Sequence, residues 1–191
     1  SDVTLTAKWT VNQYTITFDA QGGSAVAAIT QNYGTAVTAP ADPTKTGYDF
    51  NGWSQAIPTT MPAEDLTITA SWSLHTYTIT YHLPEGASNN GSNLGSYNIT
   101  TSRSLYGPFY TGYQFDGWFD NEECSGTSIS SIPLGSYGNK EFWAKFHINS
   151  YTLGFNSNGG TPVESITQEY GTTVVAPADP TREGYTFAGW S

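Results

Sequence analysis

The chain has 191 residues and a formal net charge of −10, with only 6 lysines and arginines. So few basic residues argue against nucleic-acid binding, which needs clustered Lys and Arg to displace counterions from phosphates. No stretch approaches the roughly 18 consecutive apolar residues of a membrane span, which argues against membrane insertion. Runs rich in Thr, Tyr, Val, Phe and Trp are separated by Gly and Pro, so the composition indicates short strands joined by turns.

The first element is a predicted strand at residues 2–9, DVTLTAKW, which matches DLTITASW at residues 65–72. We therefore expect residues 1–9 to be the closing strand of an upstream repeat. A second strand opens at Tyr14, where Tyr14, Ile16 and Phe18 alternate with polar residues, as a half-buried strand requires.

The remaining elements of this first repeat follow in chain order. They are a Gln21–Gly23 turn, an extended stretch around residues 29–37, a proline-rich crossover at 40–43, a strand from Tyr48, a hint of a helical turn over 61–65, and a closing strand at 66–72.

An internal repeat organises the whole chain. Residues 14–54 align with residues 151–191 without a gap and are identical at 25 of 41 positions. A divergent copy opens at Tyr77, contains GYQFDGW at 112–118 and closes with EFWAKF at 141–146. We predict repeats at 14–72, 77–146 and 151–191, the middle one carrying loop insertions and the third lacking its closing strand.

Aromatic side chains are expected to form the cores. A domain of this size buries only about 60% of its unfolded surface, and Tyr, Phe and Trp each bury roughly 150–250 Å². The Gly-Tyr-x-Phe-x-Gly-Trp motif supplies the predicted core residues Tyr48, Phe50, Trp53, Tyr113, Phe115, Trp118, Tyr185, Phe187 and Trp190, joined by Tyr14, Phe18 and Trp72 in the first repeat. Choline- and glucan-binding modules also use Gly-Trp pairs, but they recur at much shorter intervals, so core packing is favoured.

The residues that could carry chemistry form no recognisable site. His75 and His147 occupy equivalent linker positions by sequence, one repeat apart and too distant for a shared zinc ion, and His82 stands alone. Cys124, the single cysteine, has no partner pattern for nucleophilic catalysis, and no phosphate-binding loop occurs. The chain is predicted to be no enzyme and to bind no cofactor or metal.

Two weaker possibilities concern charged residues. The loop Asp120–Glu123, with Asp116, is the best candidate for binding a cation, but it lacks the spacing of a calcium loop, so an ordinary polar hairpin is favoured. Lys8 and Lys145 alternate with apolar residues and should face solvent, which argues against an intramolecular Lys–Asn bond.

An aromatic loop is the candidate binding surface. Tyr106, Phe109 and Tyr110 lie within five residues, beside a glycine and a proline, in the divergent copy. A purely mechanical repeat has no need of such a loop in one copy alone.

The segments YTITFDAQGG, APADPTKTGYDFNGWS and DLTITASW resemble the Listeria–Bacteroides repeat, the B-repeat of listerial internalins. The resemblance implies a mostly β (α+β), β-grasp-like small domain, repeated in tandem in an extended arrangement. It also implies a secreted or wall-attached bacterial protein whose repeats serve as stalks and interaction modules without catalytic residues. The middle copy departs from the pattern at residues 107–110.

Three functional hypotheses follow. The first is a stalk that holds a distal domain of an adhesin-like protein away from the cell surface. The second is a module that binds a host protein or glycan through the divergent middle repeat. The third is head-to-tail self-association, in which residues 2–9 of one molecule complete the third repeat of another.

Overall fold

The computed structural model describes residues 2–191. The strands are β1 (Gln13–Asp19), β2 (Ile29–Asn32), β3 (Tyr48–Trp53), β4 (Leu66–Leu74), β5 (Tyr77–His82), β6 (Ser96–Tyr97), β7 (Arg103–Ser104), β8 (Tyr113–Phe119), β9 (Ser131–Ile132), β10 (Lys140–Ile148), β11 (Ser150–Leu153) and β12 (Ile166–Glu169). Two compact units contain them. The first runs to Thr78 and includes Ser96–Ser102 and Pro133–Asn139, and the second comprises Ile79–Gly95, Arg103–Ile132 and Lys140–Ser191.

The sheet of the first repeat has the order β2-β1-β4-β3. Its central pair is parallel, with Ile16 beside Leu66 and Phe18 beside Ile68, while β2 and β3 pair antiparallel at the edges. The alternation of β1 and β4 places Ile16 and Ile68 on one face, where both are completely buried. The two inner strands therefore contribute the centre of the core.

That core is more aliphatic than the sequence suggests. Its buried members are Ile16, Phe18, Met61 and Ile68, and each such side chain contributes about 1.5–3 kcal/mol through burial. The predicted aromatic residues Tyr48, Phe50 and Trp53 are half buried at its margin. The Trp53 ring lies 5.1 Å from that of Phe18 and 5.3 Å from that of Phe50.

Residues 61–65 form no helical turn. The backbone N–H of Met61 donates to the carbonyl of Thr35, and the carbonyl of Met61 accepts from Gly34. Both backbone groups of Met61 therefore tie this segment to a distant part of the chain, and residues 61–65 lie outside any helix. No helix occurs within residues 2–191, so the mostly-β prediction is confirmed, whereas the α component and the β-grasp topology remain without support.

The second repeat follows the same plan. Its sheet has the order β6-β5-β10-β8, again with a parallel central pair and antiparallel edges. A bulge between Lys145 and Phe146 interrupts the pairing of β10 with β8. The short strands β7 and β9 pair antiparallel in a separate two-stranded sheet. In the second unit, Trp118 and Phe142 are buried.

The third repeat is less closed than the first. β11 pairs with β12, but residues 185–190 form no strand, and Arg182 and Tyr185 make only an isolated bridge. Tyr185 and Trp190, expected in the core, are 67% and 40% exposed. The physical reason is that β3 of the first repeat pairs only with β4, and no segment within residues 2–191 takes the β4 position in this copy.

Residues 2–9 form no strand. Leu5 and Trp9 are both 92% exposed, and Val3 is also exposed. The assignment of this segment as a closing strand stays a prediction, and Ser1 lies outside the described residues.

Candidate interaction surfaces

In the first and third repeats, a basic side chain connects the glycine turn to the motif tyrosine, and we call this contact the clasp. Lys45 Nζ donates to the carbonyl of Gln21 at 2.8 Å and lies 4.5 Å from the centre of the Tyr48 ring. Arg182 Nη1 likewise donates to the Asn158 carbonyl at 3.1 Å and covers the Tyr185 ring at 4.1 Å. The basic residue three positions before the motif tyrosine therefore holds the turn and stacks on that tyrosine.

In the second repeat, Tyr110 takes the place of this cation. Its ring stacks on Tyr113 with centroids 4.1 Å apart, and its carbonyl accepts from the Tyr113 N–H at 3.1 Å. The corresponding bond from Tyr48 to Lys45 measures 3.0 Å. Burial, and then the neighbouring Tyr113 and Glu85, raise the pKa of Tyr110. Tyr110 thus packs within its repeat.

The divergent segment 107–110 keeps the backbone geometry of the other copies. Ser88 and Phe109 exchange two backbone hydrogen bonds of 2.9 and 2.8 Å. Ser24 donates to Thr44 at 2.7 Å, and Thr161 donates to Thr181 at 2.8 Å, at the matching places. A buried proline precedes each acceptor: Pro43, Pro108 and Pro180. The crossover therefore tolerates the change of side chains.

Two of the three predicted contact aromatics remain exposed. Tyr106 is 48% exposed and Phe109 is 64% exposed. The Tyr106 backbone is fixed, because its N–H donates to Asn93 Oδ1 at 2.8 Å and its carbonyl accepts from Trp118 Nε1 at 2.9 Å. The structure brings both rings to the surface on a well-anchored loop.

Equivalent glycines make close contacts with the following copy. Gly47 has a φ of +76°, and a Cβ there would lie 2.3 Å from Ile99 Cγ2 within the first unit. Gly112 has a φ of +81°, and its Cβ would meet the Tyr170 ring within the second unit. The carbonyls of these glycines accept from the N–H groups of His75 and Asn149, both at 2.9 Å. Only glycine fits this arrangement, which combines left-handed backbone with close packing.

The equivalence expected between His75 and His147 is wrong. Asn149, and not His147, makes the backbone bond that corresponds to that of His75, and His147 lies opposite Gln114 on β10. His75 Nδ1 nevertheless contacts Asp49 at 2.8 Å, and His147 Nδ1 contacts Asp116 at 2.5 Å. His82 Nε2 contacts Glu141 at 2.9 Å and its ring stacks on Trp143. These imidazoles have carboxylate partners, which the sequence spacing does not reveal.

The acidic loop is held by its own polar contacts. Asn121 Oδ1 accepts from the Ser125 N–H at 3.0 Å, and Asp116 is engaged by His147. Across residues 2–191, no three His, Cys, Asp or Glu side chains are grouped to hold a metal ion. Burial raises the pKa of the neighbouring Cys124 thiol, an effect that Glu123 strengthens and Lys145 opposes.

Repeated sheets, shared turn clasps and glycine contacts define a tandem array of small β repeats. The profile of the Listeria–Bacteroides repeat domain matches residues 14–71, 77–145 and 151–191, and the chain belongs to this family.

Three curated proteins are similar to the chain at moderate identity. Two of them are the "Putative Gly-rich membrane protein" and the "Putative membrane protein" of Evansella cellulosilytica. Each is 32% identical over 98% of this chain, and the aligned region is 22% of the length of the first protein and 29% of the length of the second. Internalin H of Listeria monocytogenes is 34% identical over 44% of this chain and 15% of its own length. The chain thus spans less than a third of these proteins.

No solved structure matches the chain significantly. Within residues 2–191, no helix is long and apolar enough to cross a bilayer.

Proposed function

We propose that the chain is a non-catalytic stalk segment of an extracellular, bacterial surface-attached protein, in which tandem repeats present a functional domain at a distance. The observation that carries this proposal is the recurrent contact of Gly47 and Gly112. The same glycine, in the same backbone conformation, packs against Ile99 in one case and Tyr170 in the other. In repeat arrays each copy contacts only its neighbours, and such contacts hold one copy against the next.

The tolerance of the scaffold to sequence change also supports a mechanical role. The second repeat replaces the basic clasp with Tyr110 and lengthens its loops, yet it retains the sheet order of the first. Selection for a maintained fold explains this pattern without requiring any catalytic group. Family membership and the internalin relative are consistent with a surface location.

Small-angle scattering on the full chain tests the stalk. Compact packing of 191 residues predicts a radius of gyration of about 16 Å, whereas three separate domains in a row predict roughly 25 Å. The data should be extrapolated to zero concentration so that association does not inflate the value. A value close to the compact one would contradict the proposal.

Binding of a host protein or glycan is the second candidate, and the exposed rings of Tyr106 and Phe109 favour it. Flat aromatic rings on a fixed loop suit stacking against sugars or burial in a protein interface. The test is binding of the double variant Tyr106→Ser, Phe109→Ser to host cells and to a glycan array. The matched control is Leu134→Ser, Tyr137→Ser, which removes exposed apolar side chains elsewhere. Equal binding by both variants would reject this surface.

A further inference from the structure

A groove lies in the first unit, where the first repeat meets a loop of the second repeat at residues 133–139. Its volume of about 520 Å³ falls within the range of roughly 300–1,000 Å³ that is typical of ligand sites. The residues that line it lie at 43–50, 72, 75, 77 and 137, and both repeats that supply them have four-stranded sheets. The groove is open to solvent, which leaves room for a ligand chain to continue beyond it.

Aromatic rings form the apolar part of the groove, and contacts within the protein hold them in place. The Trp72 ring packs 5.3 Å from that of Phe50. The Tyr77 ring lies between the rings of His75, at 4.6 Å, and Tyr97, at 5.5 Å. Rings that are ordered before binding lose little conformational freedom when a ligand arrives, so this surface is preorganised.

Tyr137 presents an exposed ring on an anchored loop. Its side chain lines the groove and is 63% exposed. The next two residues fix the backbone, because the Gly138 carbonyl accepts from the Tyr97 hydroxyl at 2.5 Å and Asn139 Oδ1 accepts from the Thr78 N–H at 3.0 Å. Tyr137 therefore offers a flat apolar face with a hydroxyl at its tip, at low cost in conformational entropy.

The polar side of the groove contains both hydrogen-bond donors and acceptors. Asp49 Oδ1 and His75 Nδ1 lie 2.8 Å apart, and their side chains are 56% and 43% exposed. Because an ionised carboxylate only accepts, Nδ1 donates within this pair, and His75 Nε2 and the second Asp49 oxygen are the atoms through which the pair can bind a ligand. Lys45 uses one of its three ammonium hydrogens on the Gln21 carbonyl.

The balance of these groups selects the class of ligand. Lys45 and Asp49 carry opposite charges, and the net charge of −10 disfavours a polyanion. A proline-rich peptide also packs on aromatic rings, but proline has no backbone N–H to donate to Asp49. Sugar hydroxyls both donate and accept, and the apolar face of a sugar ring can stack on an aromatic ring.

We propose that this groove binds a neutral oligosaccharide, with one sugar ring stacked on Tyr137 and its hydroxyls bonded to Asp49 and His75. The site shares no residue with the exposed surface of Tyr106 and Phe109. It goes beyond the stalk role and does not depend on it.

Isothermal titration calorimetry on the full chain tests the proposal, with maltohexaose, cellohexaose, mannohexaose and chitohexaose as neutral sugars and heparin as the anionic comparison. At least one neutral sugar should bind with a Kd of about 1 mM or tighter. Tyr137→Ser should weaken that binding by about fivefold or more, because the stacked ring is lost. Tyr137→Phe is the matched control, since it keeps the ring, and it should bind nearly as well as the parent. Asp49→Ala should also weaken binding, because the sugar hydroxyls lose their acceptor.

The double variant Tyr106→Ser, Phe109→Ser distinguishes this groove from the other aromatic surface. It should bind the same sugar as well as the parent does. Loss of binding in this double variant, with Tyr137→Ser unaffected, would overturn the proposal and assign the sugar to the other surface. An absence of binding to all four neutral sugars, or a preference for heparin, would also overturn it.

Discussion

Tyr110 stacks on Tyr113 with ring centroids 4.1 Å apart and planes inclined by only 6°. This is the place that Lys45 occupies over Tyr48 and Arg182 over Tyr185. The second repeat has therefore exchanged a cation for an aromatic ring while retaining the contact. The residue at this position differs between the copies, but in all three its side chain packs over the ring of the motif tyrosine.

The first prediction concerns this substitution. Tyr110→Ala should destabilise the second repeat by about 0.5–1.5 kcal/mol, since the stacked pair is lost. Tyr110→Lys should retain much of that stability, because a lysine can cover Tyr113 as Lys45 covers Tyr48. Thermal unfolding of the parent and the two variants measures the difference. Equal losses of stability in Tyr110→Ala and Tyr110→Lys would show that a cation cannot replace the tyrosine in this copy.

The second prediction concerns the close approach at Gly47. Gly47→Ala should cost more stability than Gly184→Ala in urea unfolding followed by tryptophan fluorescence. Both glycines have similar positive φ values, +76° and +78°, so backbone strain of about 1–2 kcal/mol is common to both. Only Gly47 faces a neighbour, Ile99, whereas nothing lies within 4 Å of a Cβ on Gly184. Adding Ile99→Ala should recover part of the Gly47→Ala loss, and no recovery would assign the loss to strain alone.

The third prediction concerns Met61, which is 1% exposed in the first core. Met61→Ala should lower the free energy of unfolding by about 2–5 kcal/mol through the lost burial and the cavity left behind. Met61→Leu conserves volume and should cost less than about 1.5 kcal/mol. Urea denaturation compares the variants. A small effect of the alanine variant would mean that the surrounding side chains collapse into the space.

The fourth prediction concerns the reactivity of Cys124. Burial raises the pKa of this thiol, so its thiolate fraction near neutral pH lies below that of a free cysteine. Alkylation by iodoacetamide should therefore be slow at neutral pH and accelerate as pH rises. Lys145→Gln should slow it further, since the ammonium lowers this pKa, and Glu123→Gln should speed it. Identical rates in the two variants would exclude electrostatic control by these neighbours.

The fifth prediction concerns alkaline pH. Burial, and then the neighbouring Tyr77, raise the pKa of Tyr97 above its usual value of 10.0 in the first unit. Its hydroxyl donates to the Gly138 carbonyl at 2.5 Å. The protonated form therefore stabilises the fold below pH 10, and this contribution is lost as pH rises through the higher folded pKa. Stability of the parent should fall more steeply above pH 10 than that of Tyr97→Phe, as measured by urea unfolding at several pH values.

Local sequence pattern predicted the repeats and several of their strands, although the strand expected at residues 2–9 does not form. The alternation at Tyr14, Ile16 and Phe18 predicts β1 and its inner face because the period of two is a property of extended backbone. Near-identity of residues 14–54 and 151–191 likewise implies one fold for both, which β1–β2 and β11–β12 display. Membership of the repeat family was also predictable from its motif.

The sites depended on contacts between distant residues. The spacing of Tyr110 before Tyr113 matches that of Lys45 before Tyr48, and this signal could have revealed the shared clasp. By contrast, nothing local marks Met61 as a core residue, because its position follows from pairing with Thr35 across the fold. The pairing of His147 with Asp116 likewise arises from the alignment of β10 with β8.

The amino-acid sequence by itself determined the class of protein, and the alternation in strands such as β1 marked which of their faces are apolar. Tertiary structure decided which of those apolar faces are covered. Ile16 and Leu153 occupy the same position in two nearly identical segments, yet one is fully buried and the other is 48% exposed. Burial depends on the strand that lies alongside, and β4 covers Ile16 from fifty residues further along the chain. Alternating apolar residues make one face of a strand suited to burial, but only a strand from elsewhere in the chain can cover that face.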